Sequence, residues 1–177
     1  MDVYEEPTRV AEPTNVGEVI AEMVYSQEER EGFSKIIKDF NELYYKLHKQ
    51  TWGNTNWRGI PILKAPTDLW IYQELIGTLQ PNLIIETGTC YGGSALYMRD
   101  MCNIMSPFTQ IISIDINHEY INDTARVNGI NFVLGSSVSE EIIIKLKANI
   151  EAYDCKKVMV ILDSDHSKEH VLKELDL

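Results

Sequence analysis

Apolar positions along the chain follow two rhythms. Between residues 27 and 49, Phe33, Ile36, Ile37, Phe40, Leu43, Tyr44 and Leu47 recur at three- and four-residue steps, which predicts a long amphipathic helix whose stripe must pack on something. Leu69, Tyr72, Leu75, Ile76 and Leu79 predict a second helix, opened by Pro66-Thr67-Asp68 and closed at Gln80-Pro81. Beyond it, apolar runs too short for helices alternate with helical stretches. The runs at 82–86, 110–116, 131–135 and 157–163 predict four strands. Helices are expected over 94–103, weakly over 119–128, and over 140–153 and 168–177, with Ser136–Ser139 supplying caps for the third of these. The region 51–66 has two tryptophans, two glycines and two prolines without periodicity, and reads as a loop that either binds something or is anchored by its tryptophans. Residues 1–25 read as a loosely ordered arm.

Strands alternating with helices at this spacing predict an α/β fold, a Rossmann-like doubly wound parallel sheet with right-handed crossovers and an N-terminal helical extension. The expected domains are an arm, helix and loop over 1–65 and a Rossmann-like domain over 66–177. With strand order 3-2-1-4, the switch point where such folds bind ligands lies between the first and fourth strands.

The first strand carries the most informative stretch. It ends in Glu86, passes through Thr87-Gly88-Thr89-Cys90-Tyr91-Gly92-Gly93, and enters a helix at Ser94, placed to cap it. The spacing E-x-G-x-x-x-G-G-S is neither the dinucleotide G-x-G-x-x-G nor the phosphate-cradling loop that ends in lysine, so a ligand with little or no phosphate fits better than ATP or NAD. Asp115 stands at the tip of the second strand, where an acid accepts hydrogen bonds from ribose hydroxyls. Asp163 and Asp165 end the fourth, as ligands for a hard cation such as Mg2+ or as caps of the next helix. Four carboxylates, Glu86 among them, are thus expected round one cleft. His166 beside them is a candidate base, or an exposed capping residue. His166, Glu169 and His170 match the zinc-protease pattern H-x-x-E-H, which is set aside because it begins at a strand terminus.

Charge narrows the partners. The chain of 177 residues carries a formal net charge of −11 with 44% hydrophobic residues, which supports a sizeable core and offers no basic stripe for nucleic acid or an anionic membrane surface. The first twenty residues show no secretory signal, and no apolar run approaches a membrane span. Cys90, Cys102 and Cys155 are widely spaced without C-x-x-C pairing, as in reduced cytoplasmic proteins. Cys90 reads as a small turn residue rather than a nucleophile.

Several ordered motifs together resemble the cephalosporin hydroxylase family over residues 50 to 175. They are Trp52-Gly53, the run from Gly59 through Lys64 to Ile76, Ile85-Glu86-Thr87-Gly88-Thr89 with Gly92-Gly93-Ser94-Ala95-Leu96, Ile114-Asp115-Ile116, and Leu162-Asp163-Ser164-Asp165-His166. Despite its name, that family is similar to class I S-adenosylmethionine-dependent O-methyltransferases, including rhamnosyl O-methyltransferases. The resemblance implies that Glu86, Gly88, Tyr91, Gly92, Gly93 and Ser94 hold the methionine part of S-adenosylmethionine and that Asp115 holds its ribose. It also implies that Asp163 ligates Mg2+ beside the hydroxyl of a sugar or small metabolite. Relatives continue into further strands, so the chain reads as truncated after the fourth. The strand edge left open would then be covered by a second copy or a partner chain. A non-catalytic cofactor-binding or interaction module is the alternative, and a hydroxylase, as the family's name suggests, a further one.

Overall fold

The computed structural model describes residues 25–126 and 128–176, so the expected arm over 1–25 lies outside the described residues except for Tyr25. The chain divides into two units between Lys46 and Leu47. In the first, helix α1 spans Gln27–Lys46. Ser26 and Glu29 close its start reciprocally, the Ser26 amide donating to Glu29 Oε2 at 2.8 Å and the Glu29 amide to Ser26 Oγ at 3.3 Å. The predicted stripe is present, yet Ile36, Ile37 and Phe40 are 60–65% exposed and no residue of the helix is buried. The expectation that the stripe packs is not met among the described residues.

The second unit opens with short 3-10 turns at His48–Gln50 and Trp52–Asn54. The region expected to be an irregular loop then forms an antiparallel hairpin of β1 (Asn56–Trp57) and β2 (Ile60–Pro61). Its turn works because Arg58 and Gly59 both take positive φ, at 51° and 80°, the two-residue hairpin geometry that glycine favours. Trp57 fastens the hairpin by donating from Nε1 to Asp100 Oδ2 at 2.8 Å. Helix α2 (Pro66–Leu79) has only Ile76 fully inside, while Leu75 and Leu79 of its predicted apolar face are exposed.

Strand β3 (Leu83–Thr87), helix α3 (Gly93–Met105), strand β4 (Gln110–Asp115), the short helix α4 (Asp123–Arg126), strand β5 (Asn131–Leu134), helix α5 (Glu140–Ala152), strand β6 (Val158–Leu162) and helix α6 (Lys168–Leu175) follow. The sheet is parallel with order β5-β4-β3-β6, the expected 3-2-1-4. Alternation along the strands divides the core in two. Ile84, Ile111, Met159 and Ile161 belong to a cluster with Leu96 and Met98 of α3, while Leu83, Ile85, Ile112 and Ile114 pack with Ile142 of α5. Only α4 is much shorter than its predicted helix. Ser139 caps α5 as expected, accepting from the Ile142 amide at 3.4 Å.

Two close approaches set the carboxyl end of the sheet. The Gly88 amide donates to the Ile114 carbonyl at 2.8 Å, and a Cβ at Gly88 would stand 2.1 Å from the Asp163 carbonyl oxygen. A Cβ at Gly93 would stand 2.3 Å from the Pro61 carbonyl oxygen, so hairpin and helix start meet backbone to backbone. Gly88→Ala is therefore expected to lower unfolding stability by about 3 kcal/mol or more. Gly59→Ala, with φ +80° but open space around it, should cost only about 1 kcal/mol of backbone strain. Urea melts of the two variants that shift equally would refute the close-contact explanation.

Candidate active site

A cavity of about 490 Å3 opens at the carboxyl ends of β3, β4 and β6, where the strand order reverses. Gly88, Tyr91, Gly93, Ser94, Asp115, Asp163 and His166 of the sequence-derived set all line it, as does Asp165. Glu86 and Gly92 do not.

Glu86 is the principal correction. Register and pleat put it on the same face as Ile84, under the start of α3, and its relative exposure is 0%. Ser94 Oγ donates to one carboxylate oxygen and Ser113 Oγ to the other at 2.7 Å, with Thr89 Oγ1 2.7 Å from Ser113 Oγ. Ser94 is thus not the cap of α3. The N-cap is Gly92, at φ 81°, and the serine hydroxyl is spent on the buried acid. Burial pushes the Glu86 pKa up to about 7 against the opposing pull of the two serines. Three carboxylates, rather than four, face the cleft.

Asp115 acts on the protein itself. Its Oδ2 accepts from the Thr89 and Cys90 amides, both at 2.9 Å, and its Oδ1 from the Asn117 amide at 3.1 Å. The carboxylate clasps the turn after β3, with Cys90 held at φ 48°, and still borders the cavity. Desolvation raises the Cys90 thiol pKa, and the nearby Asp115 charge adds to this, which disfavours a thiolate nucleophile.

Asp163 is met by a residue that pattern reading did not single out. Lys64, 7% exposed, pairs with Asp163 Oδ2. On the other side His166 Nε2 stands 3.8 Å from Asp163 Oδ1, largely exposed. Asp165 is exposed and accepts from the Ser167 amide at 2.8 Å, the helix-start role weighed for it, while Ser167 itself caps α6. His170, which also lines the cavity, lies 3.1 Å from Ser137 Oγ and 3.2 Å from Ser164 Oγ, with Glu174 3.3 Å away. Among the described residues no three His, Cys, Asp or Glu side chains converge as a metal group. Among the described residues the carboxylates at the tip of β6 that border the cavity are Asp163, with Oδ1 beside the ammonium paired to Oδ2, and the exposed Asp165.

Trp52, Ser136 and Ser137 also line the cavity. Nothing in the spacing of the two serines distinguished them from helix caps, whereas Lys64 had a signal: a single cation inside the apolar run Ile60-Pro61-Ile62-Leu63-Lys64-Ala65.

Residues 49–177 match the family described as Rhamnosyl O-methyltransferase/CmcI. The chain belongs to this family. It is similar to the rhamnosyl O-methyltransferase of Mycobacterium leprae strain TN, 37% identical over 143 residues, covering 80% of this chain and 61% of the relative. The rhamnosyl O-methyltransferase of Mycobacterium bovis strain BCG is 37% identical over 144 residues, covering 80% and 57%. The chain therefore spans about three fifths of the length of these curated relatives. Among solved structures, an apo form of CmcI is 26% identical with a TM-score of 0.55, covering 68% of this chain and 50% of that one. A Mg-SAM form of CmcI, 23% identical with a TM-score of 0.53 over the same shares, bears out the fold. For this Rhamnosyl O-methyltransferase/CmcI member, as for any parallel sheet of its type, the cavity at the strand tips is the place to seek a ligand.

The raised pKa of Glu86 has a consequence for stability. The folded chain holds this proton more tightly than the unfolded one, whose value is 4.5, so the stabilisation is full below that pH and is lost as pH rises through about 7. Chemical denaturation across this range should show the wild type losing up to about 3 kcal/mol relative to Glu86→Gln. Parallel pH profiles for the two proteins would count against a buried, proton-linked Glu86.

Proposed function

We propose that the cleft binds S-adenosylmethionine and that the protein is an O-methyltransferase acting on a hydroxyl of a sugar or small secondary metabolite. The observation that carries this is the meeting of the glycine turn, Asp115 and Asp163 in one cavity at the switch point. Family membership supports the same reading. A cavity of about 490 Å3 is of the size that encloses a drug-sized ligand, and an acid-lined wall suits a cationic sulfonium.

S-adenosylmethionine, when bound, supplies an electrophilic methyl group on sulfur. Gly88, Tyr91, Gly93 and Ser94 line the side where the amino-acid part would lie. Gly92 contributes through the shape of the turn, and Glu86 acts from beneath it by fixing Ser94. Asp115 keeps acceptor capacity for a ribose hydroxyl while holding the turn. Methyl transfer to an acceptor hydroxyl in the cleft would leave the sulfur with the bonding pair and would require a base of this chain to take the hydroxyl proton. His166 and Asp163 are the bases within reach of the cleft. Asp163 and Asp165 are the cavity-lining carboxylates of the described residues that would offer oxygens to Mg2+, expected from the resemblance. In this reading residues 66–177 are the cofactor-binding domain, with the hairpin region walling one side. Three free thiols support a cytoplasmic location, and among the described residues no helix is long and apolar enough to cross a membrane.

A second reading, an interaction module, is favoured by β6. It is an edge strand whose Val160 is 55% exposed, a form of edge that invites pairing with another chain.

Calorimetric titration with S-adenosylmethionine should give saturable heat that Asp115→Ala weakens by at least tenfold, on the order of 1.4 kcal/mol. Incubation with candidate sugars should yield products heavier by one methyl group rather than one oxygen. No heat at high cofactor concentration would remove the enzyme reading. Size-exclusion chromatography addresses the module reading: a concentration-dependent dimer lost in Val160→Lys supports it, and a monomer that transfers methyl groups contradicts it.

A further inference from the structure

Lys64 is placed with unusual care for a lysine. A hairpin precedes it, Leu63 bends the chain at a positive φ of 54° that an L-residue with a branched side chain seldom adopts, and Thr55 Oγ1 ties down the Lys64 carbonyl at 2.9 Å. The side chain then runs inward past Tyr72, with Nζ 5.6 Å from the ring centroid, to Asp163 Oδ2. A lysine this buried sits where a cation needs a partner, and its partner is the strand-tip acid of the cleft.

We propose that Lys64 is the built-in counter-cation of Asp163, fixing that carboxylate at the tip of β6 and competing with any divalent metal for it. The ammonium occupies Oδ2, so a metal approaching Asp163 has Oδ1 alone and meets a like charge about one carboxylate width away. Two cations on one carboxylate repel, and removal of the fixed one raises affinity for the mobile one. Lys64 is on this account a positioning residue. The inference depends on the reading of the cleft as a methyl-transfer site only for where Asp163 lies relative to an acceptor, since the competition itself is a property of the two side chains.

Mn2+ serves as the probe, its binding to the full chain followed by electron paramagnetic resonance. The wild type and Lys64→Arg are expected to bind Mn2+ weakly and alike. Lys64→Met should bind on the order of tenfold more tightly, and the gain should vanish in the double variant Lys64→Met with Asp163→Asn. Equal affinity in the wild type and Lys64→Met, or a gain that survives loss of Asp163, overturns the proposal. Nitrogen-15 spectra of lysine ammonium groups test it in the wild type, independently of whether Lys64→Met folds. A slowly exchanging resonance assigned to Lys64 by its loss in Lys64→Arg should persist when Mg2+ is added, and its release by millimolar Mg2+ would give Asp163 to the metal. S-adenosylmethionine affinity measured alongside separates failure of the methyl-transfer reading from failure of this one.

Discussion

The carboxyl end of the sheet depends on the absence of one side chain. Gly88 lies where the chain leaves β3, and the backbone of Asp163, leaving β6, passes so near that a β-carbon would overlap its carbonyl. The positive φ of 90° at Gly88 gives the direction of exit, while the lack of a side chain allows the approach. With the strand exits this close, Asp163 borders the same space as Asp115 and the turn between them. A wider separation would leave a twisted sheet of the same order without a cleft holding those acids together.

The order of elements was legible because each strand is a short apolar run bounded by turn residues, and parallel topology follows from the helices between them. The position of Asp115 and Asp163 at strand tips followed from the same logic. Glu86 was misread because a strand pattern locates a residue along the strand without telling which layer will cover it. Its alternation with Ile84 and Ile85 pointed inward as readily as toward the cleft, and the serines that pair with it, Ser94 and Ser113, lie in two different elements. Lys64 escaped because its partner lies 99 positions away along the chain, a pairing that periodicity does not report. The hairpin at Asn56–Pro61 was hidden by strands of two residues each, too short for alternation to register, and only the Arg58-Gly59 step carried a turn signal.

Charge in this region is layered. Beneath the turn lies an acid that dehydration drives toward neutrality, sealed by hydroxyls. At the turn lies Asp115, accepting from three backbone amides. At the open side lies Asp163, between a buried ammonium and an exposed imidazole. An overall negative chain thus places a cation against one acid of its cleft, and that lysine follows a loop whose backbone is tied down by Thr55.

The register of the sheet also orders events in time. Leu83 pairs with Gln110 on one side and with Val158 on the other, and the second partner is far more distant along the chain. Closing that longer span carries the larger entropic cost, which places docking of β6 after the β3–β4 pair has formed. The cleft at the strand tips is then among the last parts of the molecule to come into existence, since its wall is incomplete until Asp163 has emerged and been drawn in.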